Sequence, residues 1–417
     1  MKRYTEFKDS GVPWIGEIPG HWTLARNKAF LFERKETVGK RTEFPLLSLT
    51  REGVIYRDIE SGKGKFPKDF DTYKIVSVGD AIFCLFDVDE TPRTVGLSAK
   101  VGMITGAYNV FAIHDIDKRF LYYFYIAIDD KKGMRPLYTG LRKVINVNKF
   151  LSAKLAVPTP AEQEKIVAFL DKQTNLIESC ICLRERELQT LNELKQAKIA
   201  SAVTRGLNPD VPMKDSGIPW IGMIPAHWEI KKLKYLFNER SEKGYPDEPV
   251  LCSTQKYGVI PQSLYENRVV VVNKGLEGLK LVEVGDFVIS LRSFQGGIEY
   301  AYYRGIISAA YTVLSPRKGI NSEYLKHLLK SQPFIELLKT CVTGIREGQN
   351  INYSLLKNKE WAFPPPEEQD AIISYLTNRN IDEYIKSLEK EIEYLKEYKQ
   401  RLISDVVTGK VDVRDEA

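Results

Sequence analysis

Two stretches of the chain place apolar residues at alternating spacings of four and three. In the later one, Ile381, Ile385, Leu388, Ile392, Leu395, Lys399, Leu402 and Val406 fall on one line. Shifting by 204 residues gives Ile177, Ile181, Arg184, Leu188, Leu191, Lys195, Lys198 and Ala202. This is the coiled-coil spacing. It predicts two helices of roughly 42–44 residues, roughly 65 Å long at 1.5 Å per residue. The earlier seam is the weaker, being interrupted by Arg184 and Lys198. Each helix is announced by prolines, at Pro158 and Pro160 and at Pro364 to Pro366, which cannot continue a strand ladder but fit a helix start. Glu162, Glu164, Glu367 and Glu368 follow in the first turn, where the helix dipole favours carboxylates. Gly206 and Gly409 stand at the expected ends, as glycine does where a helix closes in the left-handed conformation.

Outside these stretches the pattern is mixed. Short β-rich runs such as Asp80–Phe86 and Val269–Val272 alternate with Gly, Asn and Asp turns, while Phe120–Ile128 and Ser322–Leu329 read as helices. The fold class expected is α+β.

The chain repeats itself. KDSGVPWIGEIPGHW, Lys8 to Trp22, recurs as KDSGIPWIGMIPAHW, Lys214 to Trp228. VGDAIF at Val78 recurs as VGDFVI at Val284, and Pro158–Gln163 recurs as Pro364–Gln369, all at an offset of 206, while Leu191–Thr204 matches Leu395–Thr408 at 204. Ordered anchors at a near-constant offset identify a tandem duplication. The middles differ: residues 42–72 share little with 247–280. The expected organisation is a module over 1–158, a helix over 159–206, a second module over 207–364 and a second helix over 365–417. Two apolar stripes of this length are buried most simply against each other. A duplicate then requires the second helix to run back along the first, which gives an antiparallel, pseudo-two-fold arrangement with the chain ends close together.

The net charge is +6 over 417 residues. Residues 161–204 hold 6 basic and 7 acidic residues, and 367–408 hold 6 and 10, a combined −5 that leaves +11 on the modules. A basic balance there suits a polyanion. Five cysteines, Cys84, Cys180, Cys182, Cys252 and Cys341, form no CxxC pair, which argues against a disulfide framework or a zinc site. The N-terminus lacks an apolar run after its basic residues, and no stretch of about 18 apolar residues exists. A cytoplasmic protein without a membrane partner is expected.

Catalytic constellations are weak. His21 and His227 are repeat partners inside the tryptophan anchor, where a packed turn explains them better than catalysis. No HExxH, GxSxG or P-loop occurs. Asn208-Pro-Asp-Val211 fails as a DNA methyltransferase motif at its third position. Pro209-Asp210 with Glu229-Ile-Lys231 fits a nuclease only loosely, and its repeat copy has Thr23-Leu-Ala25 instead. Binding chemistry remains. Module one offers Arg51, Arg57, Lys63, Lys65, Arg93, Arg142 and Lys143; module two offers Gln255, Lys256, Tyr257, Arg292, Gln295, Arg304, Arg346, Gln349 and Asn350. Arginine reads guanine, and glutamine or asparagine reads adenine, by paired major-groove contacts, while lysine mostly meets phosphate.

The run Gly344-Ile-Arg-Glu-Gly-Gln-Asn-Ile-Asn352, Leu355, and Phe363-Pro-Pro-Pro-Glu-Glu-Gln-Asp-Ala-Ile372 resembles the end of a target recognition domain entering its conserved helix. The anchor Asp-Ser-Gly-x-Pro-Trp-Ile-Gly-x-Ile-Pro-x-His-Trp, present twice, is similar to the domain opening of the same family, the specificity subunits of type I restriction–modification enzymes. The first copy departs from the pattern at Gly140–Asn148, which lacks the Gly-Gln-Asn step, and at Thr159. The resemblance implies that each module is a target recognition domain reading one half of a split double-stranded DNA site. It implies that the helices fix the unread spacer and dock two methyltransferase subunits, with restriction subunits joining them. It also implies a non-catalytic chain without a cofactor of its own, S-adenosylmethionine, ATP and magnesium being expected on the partners. The alternative from the residues alone is a coiled-coil scaffold for protein partners that reads no DNA.

Overall fold

The computed structural model describes residues 2–40, 43–57, 70–140, 143–265, 275–291, 293–343, 350–377 and 380–416. The run Val269–Val272 lies outside them. The chain forms two compact units, Met1–Glu185 with Glu389–Ala417, and Arg186–Leu388.

Both units build the same α+β module. In the first, an antiparallel sheet runs in the order Leu31–Arg34, Asn109–Ile113, Ala81–Phe83, Val95–Leu97; in the second the order is Phe237–Arg240, Thr312–Pro316, Phe287–Ile289, Glu299–Tyr300. The helices Lys118–Asp130 and Ser322–Leu328 cover these sheets, each started by a side chain that accepts backbone N–H groups, Asp117 in one and Asn321 in the other. Trp22, Phe83, Phe111, Phe120 and Phe150 fill the first core, and Trp228, Phe287, Tyr324, Phe334 and Trp361 the second. The repeated Val-Gly-Asp tight turn has a structural purpose. Asp80 Oδ2 accepts the Ser77 N–H and pairs with Arg34 Nε at 2.8 Å; Asp286 Oδ2 accepts the Glu283 N–H and pairs with Arg240 Nε at 2.8 Å. Each buried carboxylate thereby ties one sheet strand to another.

Each module closes at its anchor. Thr23–Arg26 pairs with Lys154–Val157, and Glu229–Lys232 with Glu360–Phe363, so the anchor lies beside the strand that feeds the long helix. Trp22 and Trp228 are fully buried there. The helix that arrives at each module also ends on the anchor. Gly206 and Gly409 both have φ +73°; a Cβ at Gly409 would overlap the Pro19 ring, and one at Gly206 would come within 2.5 Å of Glu368 Oε1. Gly409→Ala is therefore expected to cost about 1–3 kcal/mol for the left-handed backbone and more for the overlap. Gly39→Ala, at φ +59° with no atom of the described residues within 4 Å, carries the backbone cost alone, so thermal unfolding must rank Gly409→Ala as the more damaging.

The first long helix is continuous over Pro160–Arg205, about 69 Å at 1.5 Å per residue. The second, expected as one helix, is two: Pro366–Leu376 and Asn380–Val407, with Thr377 in a turn. The reason is helical phase. In the first copy the buried Ile166 stands eleven residues before the seam residue Ile177; in the second the equivalent Ile372 stands nine before Ile381. Eleven residues are about three turns and keep one face, whereas nine are about two and a half and reverse it. A straight helix would aim Ile372 and Ile381 in opposite directions, and the break removes that conflict.

Within each unit the helices run antiparallel. In the first, Arg184 Nε meets Glu391 at 3.0 Å, Lys396 Nζ meets Glu185 at 2.9 Å, and Lys399 meets Glu178. In the second, Lys195 meets Asp382 and the Tyr384 hydroxyl meets Glu187. Numbers rise on one helix as they fall on its partner. Ile177, Ile392 and Leu402 are buried and Ile181 and Leu395 half-buried in the first unit; Leu388 is buried and Leu188, Leu191, Ile381 and Ile385 are half-buried in the second. Two charges on the first seam are matched across it, Arg184 by Glu391 and Lys195 by Asp382. Exposed pairs of this kind contribute about 0–1 kcal/mol each and fix direction more than stability. The chain ends meet inside the first unit: the Asp412 N–H donates to Lys2 O at 2.9 Å and Lys2 Nζ lies 3.3 Å from Asp415.

Candidate nucleic-acid interface

The diverged middles conceal a second repeat. In module one a hairpin of Leu47–Thr50 and Gly53–Tyr56 stands on a small apolar core of Leu47, Val54, Val76, Ile82, Ile104 and Val110. In module two the hairpin is Leu251–Thr254 with Gly258–Pro261, on Leu251, Val259, Val282, Val288, Ile307 and Val313. These six of the second core match the six of the first in chain order, and the second core adds Ala301. The turns are closed alike: Thr50 Oγ1 donates to Gly53 O and Thr254 Oγ1 to Gly258 O, both at 3.0 Å. The tips differ. Module one presents the two residues Arg51-Glu52, and module two the three residues Gln255-Lys256-Tyr257. A shared platform thus carries a different exposed sequence in each module.

Around the second tip the structure gathers a polar and aromatic face. The Gln255 side chain packs on the one-turn helix Ser293–Gly296, where a Cβ at Gly296 would come within 3.0 Å of it. Gln295 is exposed on that turn, which lies against the strand Asn350–Ile351 carrying the exposed Asn350. Lys256 Nζ lies 5.1 Å from the centre of the half-exposed Tyr257 ring. Lys330 Nζ donates to Gln255 O at 3.2 Å while its charge meets the buried Glu299. The Tyr302 N–H donates to Val259 O, and its ring stacks edge-on to Tyr300 at 4.9 Å with Lys326 Nζ about equidistant from both, 5.2 and 5.0 Å. Gln255, Lys256, Tyr257, Gln295 and Asn350 are therefore brought to one region. Tyr302, Lys326 and Lys330 join it although sequence reading passed them over; the run Tyr300-Ala-Tyr-Tyr303 after a strand was the available signal.

Other named cations are committed elsewhere. Arg304 is held by Glu248 and Glu283 beside the Tyr245 ring. Arg93 is mostly buried and is held by Asp129 at 3.3 Å and Asp130 at 2.8 Å. Both brace loops instead of presenting a free guanidinium. Lys143, at φ +49°, meets Asp89, which also takes Arg135 Nε and the Tyr138 hydroxyl. The Tyr138 hydrogen bond first, then those of Arg135 and Lys143, hold the Asp89 carboxyl down at about 2. In module one Arg51 is exposed at the hairpin tip, Arg57 is half-buried at the end of the second hairpin strand, and Lys100 lies 4.7 Å over the exposed Tyr56 ring. Lys63, Lys65, Arg142, Arg292, Arg346 and Gln349 lie outside the described residues. Among the described residues no group of three or more His, Cys, Asp or Glu side chains is placed to hold a metal ion, and no helix is long and apolar enough to cross a membrane.

The anchor histidines also find partners. His21 Nε2 donates to Glu162 Oε2 at 2.9 Å, and the Tyr4 hydroxyl donates to Glu162 Oε1 at 2.6 Å. In module two His227 Nε2 and Trp228 Nε1 both donate to Glu368 Oε2, at 2.7 and 2.9 Å. Each carboxylate lies in the first turn of the helix leaving its module, as the dipole favours.

A duplicated basic module with variable exposed tips on a fixed platform defines a recognition protein, and comparison with known proteins agrees. The family model of the type I restriction modification DNA specificity domain matches residues 98–192 and 225–396, more than half of the chain, and the chain belongs to that family. It is a type I restriction–modification specificity subunit, the non-catalytic component that recognises the DNA target; catalysis lies in the partner methyltransferase and restriction subunits. The chain is 24% identical to the MjaX type I restriction enzyme specificity subunit of Methanocaldococcus jannaschii over 441 aligned positions, covering 96% of each chain. It is 26% identical over 314 positions to the MjaVIII specificity subunit of the same organism, covering 71% of each. Its fold matches a solved chain from a study of complex assembly and conformational transition of the type I R-M system, with a TM-score of 0.65, 16% identity, and coverage of 94% of this chain and 99% of that one.

Proposed function

We propose that each module reads one half of a split duplex site through its hairpin tip and the loops beside it. The paired helices set the unread spacer and dock two methyltransferase subunits, which carry S-adenosylmethionine, while ATP and magnesium belong to the restriction subunits. The observation that carries this reading is the matched pair of small cores bearing unlike tips, Arg51-Glu52 and Gln255-Lys256-Tyr257. Conserved support beneath variable contact residues is what two different half-sites require. Gln255, Gln295 and Asn350 carry the amide groups suited to adenine, Arg51 the fork suited to guanine, and the lysines suit phosphate. The exposed Leu176, Leu183 and Tyr394 on the helices supply apolar surface for protein docking. Joining two weak readers in one frame multiplies their specificity. Sequencing methylated bases in DNA modified by the assembled complex is expected to return one bipartite motif with a fixed unread gap. A contiguous motif, or none, would sink the reading.

A further inference from the structure

Resting on that reading, we propose that His21 and His227 are positioning residues that fix the angle between each module and its helices, and through it the spacer length accepted on DNA. The same junction is built twice from residues 206 apart. In both copies a histidine of the Pro-x-His-Trp turn donates to a glutamate in the first turn of the departing helix. The arriving helix ends at the same place, Gly409 against Pro19 and Trp22, Gly206 against Trp228 and Glu368. Each junction therefore joins three parts: the module's opening turn, the helix that leaves and the helix that arrives.

Chemistry favours a fixed geometry. The Glu162 side chain is only 4% exposed, and a carboxylate so buried needs donors. The second donor differs between copies, Tyr4 from the N-terminal segment in one and the anchor tryptophan Trp228 in the other. The histidine alone is common to both. Its residue is exposed in each copy, with side chains 42% and 45% accessible, so it adds little buried area and its contribution is directional. The leverage is sufficient. A tip about 15–20 Å from the junction, as in a domain of this size, moves about 4–5 Å for a pivot of about 15°. That exceeds the rise of about 3.4 Å per base pair.

The test uses the specificity subunit assembled with its methyltransferase subunits, and compares His227→Ala, His227→Gln and the same changes at His21 by sequencing methylated bases. Wild type is expected to modify one spacer length. His227→Ala is expected to add sites whose spacer differs by one base pair, with both half-site sequences intact and the melting temperature of the complex nearly unchanged. His227→Gln, whose amide can donate to Glu368, is expected to restore the single spacer. A single spacer with uniformly weakened methylation in His227→Ala would overturn the proposal, as would relaxed sequence in a half-site, or a glutamine variant as defective as the alanine one. A wild-type complex that modifies no split site removes the recognition reading itself, before any variant is compared.

Discussion

Replacing Gln255, Lys256 and Tyr257 together by alanine is expected to abolish discrimination at one half-site and leave the other unchanged. The three residues form the whole exposed tip of the second hairpin, and the small core beneath uses none of them. One good paired contact to a base edge is worth about 1–3 kcal/mol of discrimination, and each 1.4 kcal/mol is about tenfold in affinity. Loss of the tip should therefore weaken binding to the cognate duplex roughly a hundredfold. Duplexes already mismatched in that half-site should be little affected. Competition binding against duplexes scrambled in one half or the other measures this directly. Equal losses on both halves, or a fall in melting temperature as large as that of a core variant, would show that the tip supports structure and does not read sequence.

The second large effect is expected at the anchor. Trp22 is fully buried, edge-on to Tyr4 and Phe120 and against Gly409. Trp22→Ala should cost about 3–5 kcal/mol, the usual range for emptying an aromatic site, and should unfold the first unit at a markedly lower temperature. Phenylalanine substitutions sharpen the comparison. Among the described residues Trp22 Nε1 is buried without a hydrogen-bond partner, whereas Trp228 Nε1 donates to Glu368. Trp22→Phe removes an unsatisfied donor, and Trp228→Phe breaks a bond to a carboxylate, worth about 1.5–3 kcal/mol. Differential unfolding should find Trp228→Phe the more destabilising; the reverse order would contradict the hydrogen-bond assignment.

The frame was legible because its signals are local. The proline entries, the four-three seam and the closing glycines each depend on neighbours within a few residues; the helices start at Pro160 and Pro366, and Gly206 and Gly409 follow their ends at Arg205 and Val407. The anchor's repetition was equally plain, though not its purpose, since Glu162 and Glu368 lie 141 residues from the histidines they accept. The hairpins were hidden for a different reason. Their six core pairs keep apolar character and order, but loops of unequal length shift the offset from 204 at Leu47 and Leu251 to 206 at Val76 and Val282, then to 203 at Val110 and Val313. A search at constant offset sees unrelated sequence there. Arg93 and Arg304 show another limit: an arginine looks the same in sequence whether it faces solvent or two carboxylates, and the partners of Arg93 come from a helix end some 36 residues on. The helix break did leave a trace. The offset falls from 206 at Gln163 and Gln369 to 204 at Leu191 and Leu395, so two residues are missing inside a predicted helix, and helical phase forbids that without an interruption.

That interruption gives the two copies different rules for change. In the continuous helix Pro160–Arg205, length and twist are one variable: an added residue lengthens the rod by about 1.5 Å and turns everything beyond it by about 100°, which swings the seam off its partner. Thr377 interrupts the helix of the second copy, so a residue added there does not tie length to a fixed turn of about 100°. The second copy can change length one residue at a time. The first can change only in steps that complete whole turns.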